Sequence, residues 1–191
     1  MVKKLHIIYL PGFGDNYDIG RRAALWGWRI FGVTAQHVPM RWNSTESYAE
    51  KYARIDEAIN EAAGKRIVII GESASGSMAL AAYAKRCHDL YKVITISGKN
   101  NNPASVAPRL YRQHTAFRDA LAAAEIATKQ LSQVDRQNFV AFYPLYDEVI
   151  PIKEAVIPDC QLIRLFSIGH LFTVALALTI YSGYIVHIAK R

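Results

Sequence analysis

Apolar residues gather in short continuous runs, and between these runs they recur every three or four positions. The first pattern predicts buried strands and the second predicts amphipathic helices. Residues 4–10 (KLHIIYL) form such a run and stop at the turn signal Pro11-Gly12, so they read as a strand. A helix is expected over 17–31, with Trp26, Trp28 and Ile30, and a second strand over 33–40. Ser47 and Glu50 have capping-box spacing at the start of a helix that runs to about residue 63, where Gly64 ends it. The run RIVII at 66–70 is β-branched throughout and suits a strand covered on both faces. The small residues of 74–87 predict a helix that packs closely. Further strands are expected at 91–97, 138–143 and 161–166. A turn falls at 100–103, a helix at 115–131 with Phe117, Leu121, Ala124, Thr128 and Leu131 on one face, and a last helix from Gly169 onward.

Strands alternating with helices predict an α/β fold, a mostly parallel sheet with helices on both faces. At 191 residues the chain is expected to be one domain, 1–191, without internal repeat or linker. Two segments compete with this reading. The start has Lys3, Lys4 and a short apolar run, but His6 interrupts it and no small-residue cleavage site follows, which favours a strand over a secretory signal. Residues 171–189 contain no Asp, Glu, Lys or Arg and approach the length of a membrane span. Thr173, Thr179, Ser182, Gly183 and His187 break their apolar character, and a packed terminal helix is the preferred reading.

Charge and cysteine content narrow the classes further. Lys and Arg exceed Asp and Glu by 23 to 16, a net charge of +7. That balance favours anionic partners, and an acyl substrate carrying negative charge is compatible with it. The basic residues are scattered and not interleaved with aromatics, which argues against nucleic-acid binding. Cys87 and Cys160 cannot build a disulfide framework, and no Cys/His pair has zinc spacing, so no metal is expected and a reducing cytoplasm is the simplest setting.

The chemistry concentrates in IVIIGESASGSMALAAYA, a buried strand that turns into a helix through Gly71-Glu72-Ser73-Ala74-Ser75-Gly76. So sharp a turn forces its middle residue to positive φ and lifts the Ser73 hydroxyl above the carboxyl end of the sheet. Residues two positions away must be small, as Gly71 and Ser75 are. An ordinary small-residue turn is the alternative. A serine hydroxyl is a poor nucleophile until a base accepts its proton, and that base needs a third group to orient it.

This stretch resembles the nucleophile elbow of the α/β-hydrolase family, Gly-x-Ser-x-Gly, with Ser75 in place of the second glycine. The resemblance spans nearly the whole chain and implies a three-layer α/β-hydrolase-like sandwich. After NFVAFY, the segment Pro144-Leu145-Tyr146-Asp147-Glu148-Val149-Ile150-Pro151 looks like the family's acid loop. After QLIRLF, Ser167-Ile168-Gly169-His170 looks like its Gly-His loop. The resemblance thus implies Ser73 as nucleophile, His170 as base and Asp147 as the acid, with Glu148 the competing acid. The loop LPGFG is similar to the family's His-Gly oxyanion loop, with Pro11 replacing His. It implies backbone donors at Phe13 and Ala74, a plain Pro-Gly turn being the alternative. The chain looks like the small, lid-poor serine hydrolases of the family, with 99–136 the one candidate lid. Such an enzyme would act on a small ester, thioester or related acyl substrate without a cofactor. A non-catalytic ligand- or protein-binding module on the same scaffold is the competing reading.

Overall fold

The computed structural model describes residues 3–191; Met1 and Val2, at the head of the segment weighed as a signal, lie outside the described residues. In chain order the elements are β1 (Leu5–Leu10), α1 (Asp18–Gly27), β2 (Thr34–His37), α2 (Tyr48–Glu61), β3 (Arg66–Glu72), α3 (Ser75–Arg86) and β4 (Leu90–Ile96). They continue with α4 (Pro108–Gln113), α5 (Thr115–Gln130), α6 (Gln133–Gln137), β5 (Phe139–Tyr146), α7 (Ile152–Ala155), β6 (Gln161–Ile168), α8 (His170–Leu178) and α9 (Ser182–Lys190).

The six strands are parallel throughout, in the order β2-β1-β3-β4-β5-β6. Helices cover both faces, as the alternating pattern predicts. On one face Ile8, Ile67, Ile69, Val93 and Ala141 pack against Ile55 and Ile59 of α2, Met78 and Tyr83 of α3, and Phe117 and Leu121 of α5. On the other, Ile7, Tyr9, Val68, Ile70, Ile94 and Phe142 meet Leu25 of α1, Val174 of α8 and Ile185 of α9. Ile67–Ile70 are almost wholly buried on both faces. Burial of each such side chain is worth about 1.5–3 kcal/mol, which makes β3 the rigid strand on which the site stands.

Several expected boundaries move, each for a local reason. The helix expected over 17–31 ends as α1 at Gly27, and a 3-10 turn, Trp28–Phe31, closes it at Gly32. The second strand is short because Pro39 has no N–H to continue the ladder after Val38 N bonds Tyr9 O at 2.9 Å. The Ser47–Glu50 capping box forms as its spacing predicts. A second box, Ser132 with Asp135, starts the unforeseen α6. The last helix breaks in two, with a 70° bend between α8 and α9. There the hydroxyls of Thr179 and Ser182 bond the Ala175 and Thr179 carbonyls at 2.7 and 2.5 Å, competing with the backbone ladder. Among the described residues no single helix is long and apolar enough to cross a membrane. The apolar faces of the pair, including Val174, Ala177, Ile185 and Val186, lie in the core.

Candidate active site

Strand order places the site. β1 sends its crossover to β2 on one side, and β3 follows on the other, so a crevice opens above the carboxyl ends of β1 and β3. Two loops meet there, Pro11–Gly14 after β1 and Ser73-Ala74 after β3.

Ser73 has φ 49°, a left-handed conformation that a non-glycine residue adopts only under local constraint. That constraint is visible. Ser73 N bonds Ile96 O at 3.0 Å, and Ser73 O accepts from Gly76 N at 3.0 Å and Lys99 N at 2.9 Å. Gly71 has no room for a side chain, since a Cβ there would stand 2.9 Å from the Ala79 Cβ. A Cβ at Gly76 would stand 2.9 Å from the Gly98 Cα. The close approach expected around the turn thus involves the Ser75 backbone, whose O would stand 2.5 Å from a Cβ at Gly71, and extends to Gly76. Ser75 fills its own place, fully buried, and its Oγ donates to Pro11 O at 2.5 Å while accepting from Trp42 Nε1 at 3.2 Å.

The three side chains singled out from three separate loops come together. His170 Nε2 lies 2.9 Å from Ser73 Oγ, and His170 Nδ1 lies 2.9 and 3.1 Å from the two carboxylate oxygens of Asp147. Burial pushes the Asp147 carboxyl up. The His170 hydrogen bond and the N–H groups of Ile150 and Val149, each 2.9 Å from Oδ1, outweigh it and leave the pKa below the usual carboxylate range. Glu148, the competing acid, turns elsewhere. Its two oxygens accept from His170 N at 3.1 and 3.0 Å, capping the first turn of α8.

Phe13 and Ala74 both border a cavity of about 250 Å³ that opens beside Ser73. Among the described residues neither backbone N–H has a hydrogen-bond acceptor. Val106, Leu110, Phe117, Val149 and Ile150 give the cavity an apolar wall. Its lining includes a buried ion pair, Lys99 with Glu154. Lys99 Nζ also donates to Ser105 Oγ at 2.6 Å and Asn102 O at 3.1 Å. Every Lys99 donor is thus engaged, and the pair ties the loop after β4 to α7. His114 packs its ring at a tilt against Phe13, centroids 4.7 Å apart, and its Nδ1 lies 3.0 Å from Trp42 O.

One feature escaped the sequence entirely. Glu72, next to Ser73 in the chain, is buried with Arg21 of α1, and Arg21 also reaches the carbonyls of Phe13 and Gly14. A charge inside a buried strand end signals that a partner exists, but nothing in the sequence separates Arg21 from Arg22 as that partner.

Solved structures share this architecture. A pyrethroid hydrolase from Sphingobium faniae superimposes with TM-score 0.71 at 10% identity, over 98% of this chain and 97% of its own. One of two metagenome-derived lipolytic enzymes gives 0.66 at 12% identity, over 99% and 93%. A hydrolase from Oleispira antarctica gives 0.63 at 12% identity, over 100% and 92%. No family model and no curated protein sequence matches the chain. Sheet order, crossovers and these likenesses define the class: the chain has the α/β-hydrolase fold.

Proposed function

We propose that this protein is a serine hydrolase acting on a small ester, thioester or related acyl substrate. The observation that carries the reading is the unbroken relay Ser73 Oγ, His170 Nε2, His170 Nδ1, Asp147 carboxylate, each link 2.9 Å. The hydrolytic activities named for the structural neighbours support it by analogy.

In this mechanism Ser73 Oγ attacks the substrate carbonyl as its proton passes to His170 Nε2. The carbonyl oxygen becomes an oxyanion, held by the free Phe13 and Ala74 N–H groups. Asp147 orients the imidazole and stabilises its charge without taking the proton. Collapse of the intermediate breaks the bond to the leaving group, which leaves with the proton from His170. Water then attacks the acyl-Ser73 ester, giving its proton to His170, and Ser73 regains one as the acid departs. Side chains, backbone amides and water suffice for every step.

The cavity wall suits an apolar acyl group. Residues 1–191 are read as one domain, and within 99–136 the part over the cavity, Ser105 to Leu110, takes the role of a small cover while α5 belongs to the core. A cytoplasmic setting fits Cys87 and Cys160, both free and half-buried.

Ser73 is tested with a fluorophosphonate probe and p-nitrophenyl esters. The wild type is expected to label and turn over, and Ser73→Ala to do neither while keeping its far-UV spectrum. Equal labelling of the variant would remove Ser73 from the role. A wild type that takes no probe but is stabilised by an acyl ligand would favour the binding-module reading.

A further inference from the structure

Arg21 has five N–H groups, and all five are engaged. Nε donates to Glu72 Oε2 at 2.9 Å and Nη2 to Glu72 Oε1 at 2.5 Å, a bidentate pair. The second Nη2 hydrogen goes to Phe13 O at 3.1 Å, and Nη1 donates to Gly14 O at 2.8 Å and Asp18 Oδ1 at 2.9 Å. Tyr9 Oη adds a further hydrogen bond to Glu72 Oε2. Arg21 is 5% exposed and Glu72 2%, so water takes little part.

Stability is a poor reason for such an arrangement. Two charges removed from water lose most of what their attraction returns, and an apolar pair of similar volume often stabilises as well or better. What distinguishes this pair is what it is attached to. Glu72 precedes Ser73 and Ala74 in the elbow, whereas the carbonyls of Phe13 and Gly14 belong to the loop after β1. The two N–H groups assigned above to the oxyanion come one from each segment, and no strand ladder joins them. The Ser75 hydroxyl ties α3 to Pro11 O at the start of the first loop, and the guanidinium ties Glu72 to the Phe13 and Gly14 carbonyls, where the donor of that loop lies.

We propose that Arg21 is a positioning residue for the reaction: through Glu72 and the Phe13 and Gly14 carbonyls, its fork sets the distance between the Phe13 and Ala74 N–H groups. This rests on the serine-hydrolase reading. The guanidinium has a second effect, since it neutralises Glu72, whose carboxylate would otherwise oppose the charge developing on the substrate oxygen nearby. Lysine cannot replace it, because a single ammonium has three donors and no planar fork to span a carboxylate and two carbonyls. Arg21 touches neither substrate nor nucleophile, so its loss should weaken transition-state binding and leave ground-state binding alone.

The test compares Arg21→Lys, and the volume-conserving double variant Arg21→Met with Glu72→Met, against the wild type. Two quantities are measured: kcat and KM on a p-nitrophenyl ester, and the Ki of a trifluoromethyl ketone, which forms a tetrahedral oxyanion adduct on the serine. A misplacement of donors of this kind is expected to lower kcat on the order of 100-fold. Ki should rise by the same factor, with KM at its wild-type value. Ki does not depend on how much of the sample is folded, so it separates positioning from lost protein. Should Arg21→Lys fail to fold, the double variant, which buries no lone charge, gives the same ratio. A fall in kcat with unchanged Ki, or wild-type values for both, would overturn the proposal. A wild type that neither cleaves the ester nor binds the ketone would instead overturn the hydrolase reading, and the role of Arg21 with it.

Discussion

Replacing Ser75 with glycine would restore the pattern Gly-x-Ser-x-Gly, and from that pattern alone the change ought to be harmless. The structure predicts otherwise. Ser75 is fully buried in the first turn of α3, and its hydroxyl donates to Pro11 O at 2.5 Å. A buried hydrogen bond of this kind contributes about 1 kcal/mol net. The loss should not exceed that, because Trp42 Nε1 also donates to Pro11 O at 3.0 Å and leaves neither group orphaned. Glycine in a helix adds a backbone-entropy cost of roughly 0.5–1 kcal/mol relative to alanine. The sum for Ser75→Gly is about 2 kcal/mol, and for Ser75→Ala, which loses the hydrogen bond alone, about 1 kcal/mol. In a chain of this size 1 kcal/mol moves Tm by roughly 2–4 °C, so the glycine variant should melt roughly 4–8 °C lower. Calorimetry with urea denaturation at neutral pH reads both variants on one scale. A glycine variant as stable as the wild type would refute the reasoning and show that the hydroxyl is a tolerated passenger.

Three further outcomes are expected. Asp147→Asn should keep the loop, since Val149 and Ile150 still find an acceptor there, but lower kcat roughly 10,000-fold by presenting the wrong partner to His170 Nδ1; ester kinetics at saturating substrate check it. Gly76→Ala should be less stable by about 1–3 kcal/mol, because the new methyl meets the Gly98 backbone, and a thermal midpoint equal to wild type would contradict that crowding. Stability should also fall in acid. Arg54 holds the Glu46 carboxyl at about 2, despite a partial opposing effect of burial. Asp147 and Glu154 also lie below their ordinary values, since hydrogen bonds to His170 and Lys99 outweigh their burial. Groups with pKa depressed by folding contribute fully above their unfolded values and lose that contribution as pH drops through the folded ones. The urea midpoint should therefore be level above about pH 5 and decline toward pH 2, and a midpoint unchanged at pH 3 would count against these pairings.

Legibility in the sequence followed the range of the interaction. β3 and β4 are buried on both faces, so their apolar runs nearly coincide with the observed strands. The Ser47–Glu50 box spans three residues and forms as expected. The family resemblance also points to Ser73, Asp147 and His170, each after a recognisable strand, and the fold brings these three side chains within hydrogen-bond distance. Less was visible where short-range competition decides, as at Thr179 and Ser182, whose hydroxyls split the terminal helix. Glu148 was a fair rival to Asp147 in sequence, and only three-dimensional placement turns it toward the His170 backbone amide.

Least legible of all was the pairing of Arg21 with Glu72, 51 residues apart. Yet the fold leaves a place for such a link. In the order β2-β1-β3, the loops after β1 and β3 face each other across a crevice where parallel pairing has ended. Two backbone donors placed on opposite sides of that gap have no ladder to set their spacing. The Ser75 hydroxyl restrains one end of the first loop at Pro11 O, and Arg21, on the helix that follows that loop, restrains the other, accepting no bonds while donating five in a fixed plane. Of the twenty side chains only arginine meets that description. In this chain that place is taken by Arg21 of α1, held by Glu72 at the position before Ser73 and reaching the Phe13 and Gly14 carbonyls across the crevice.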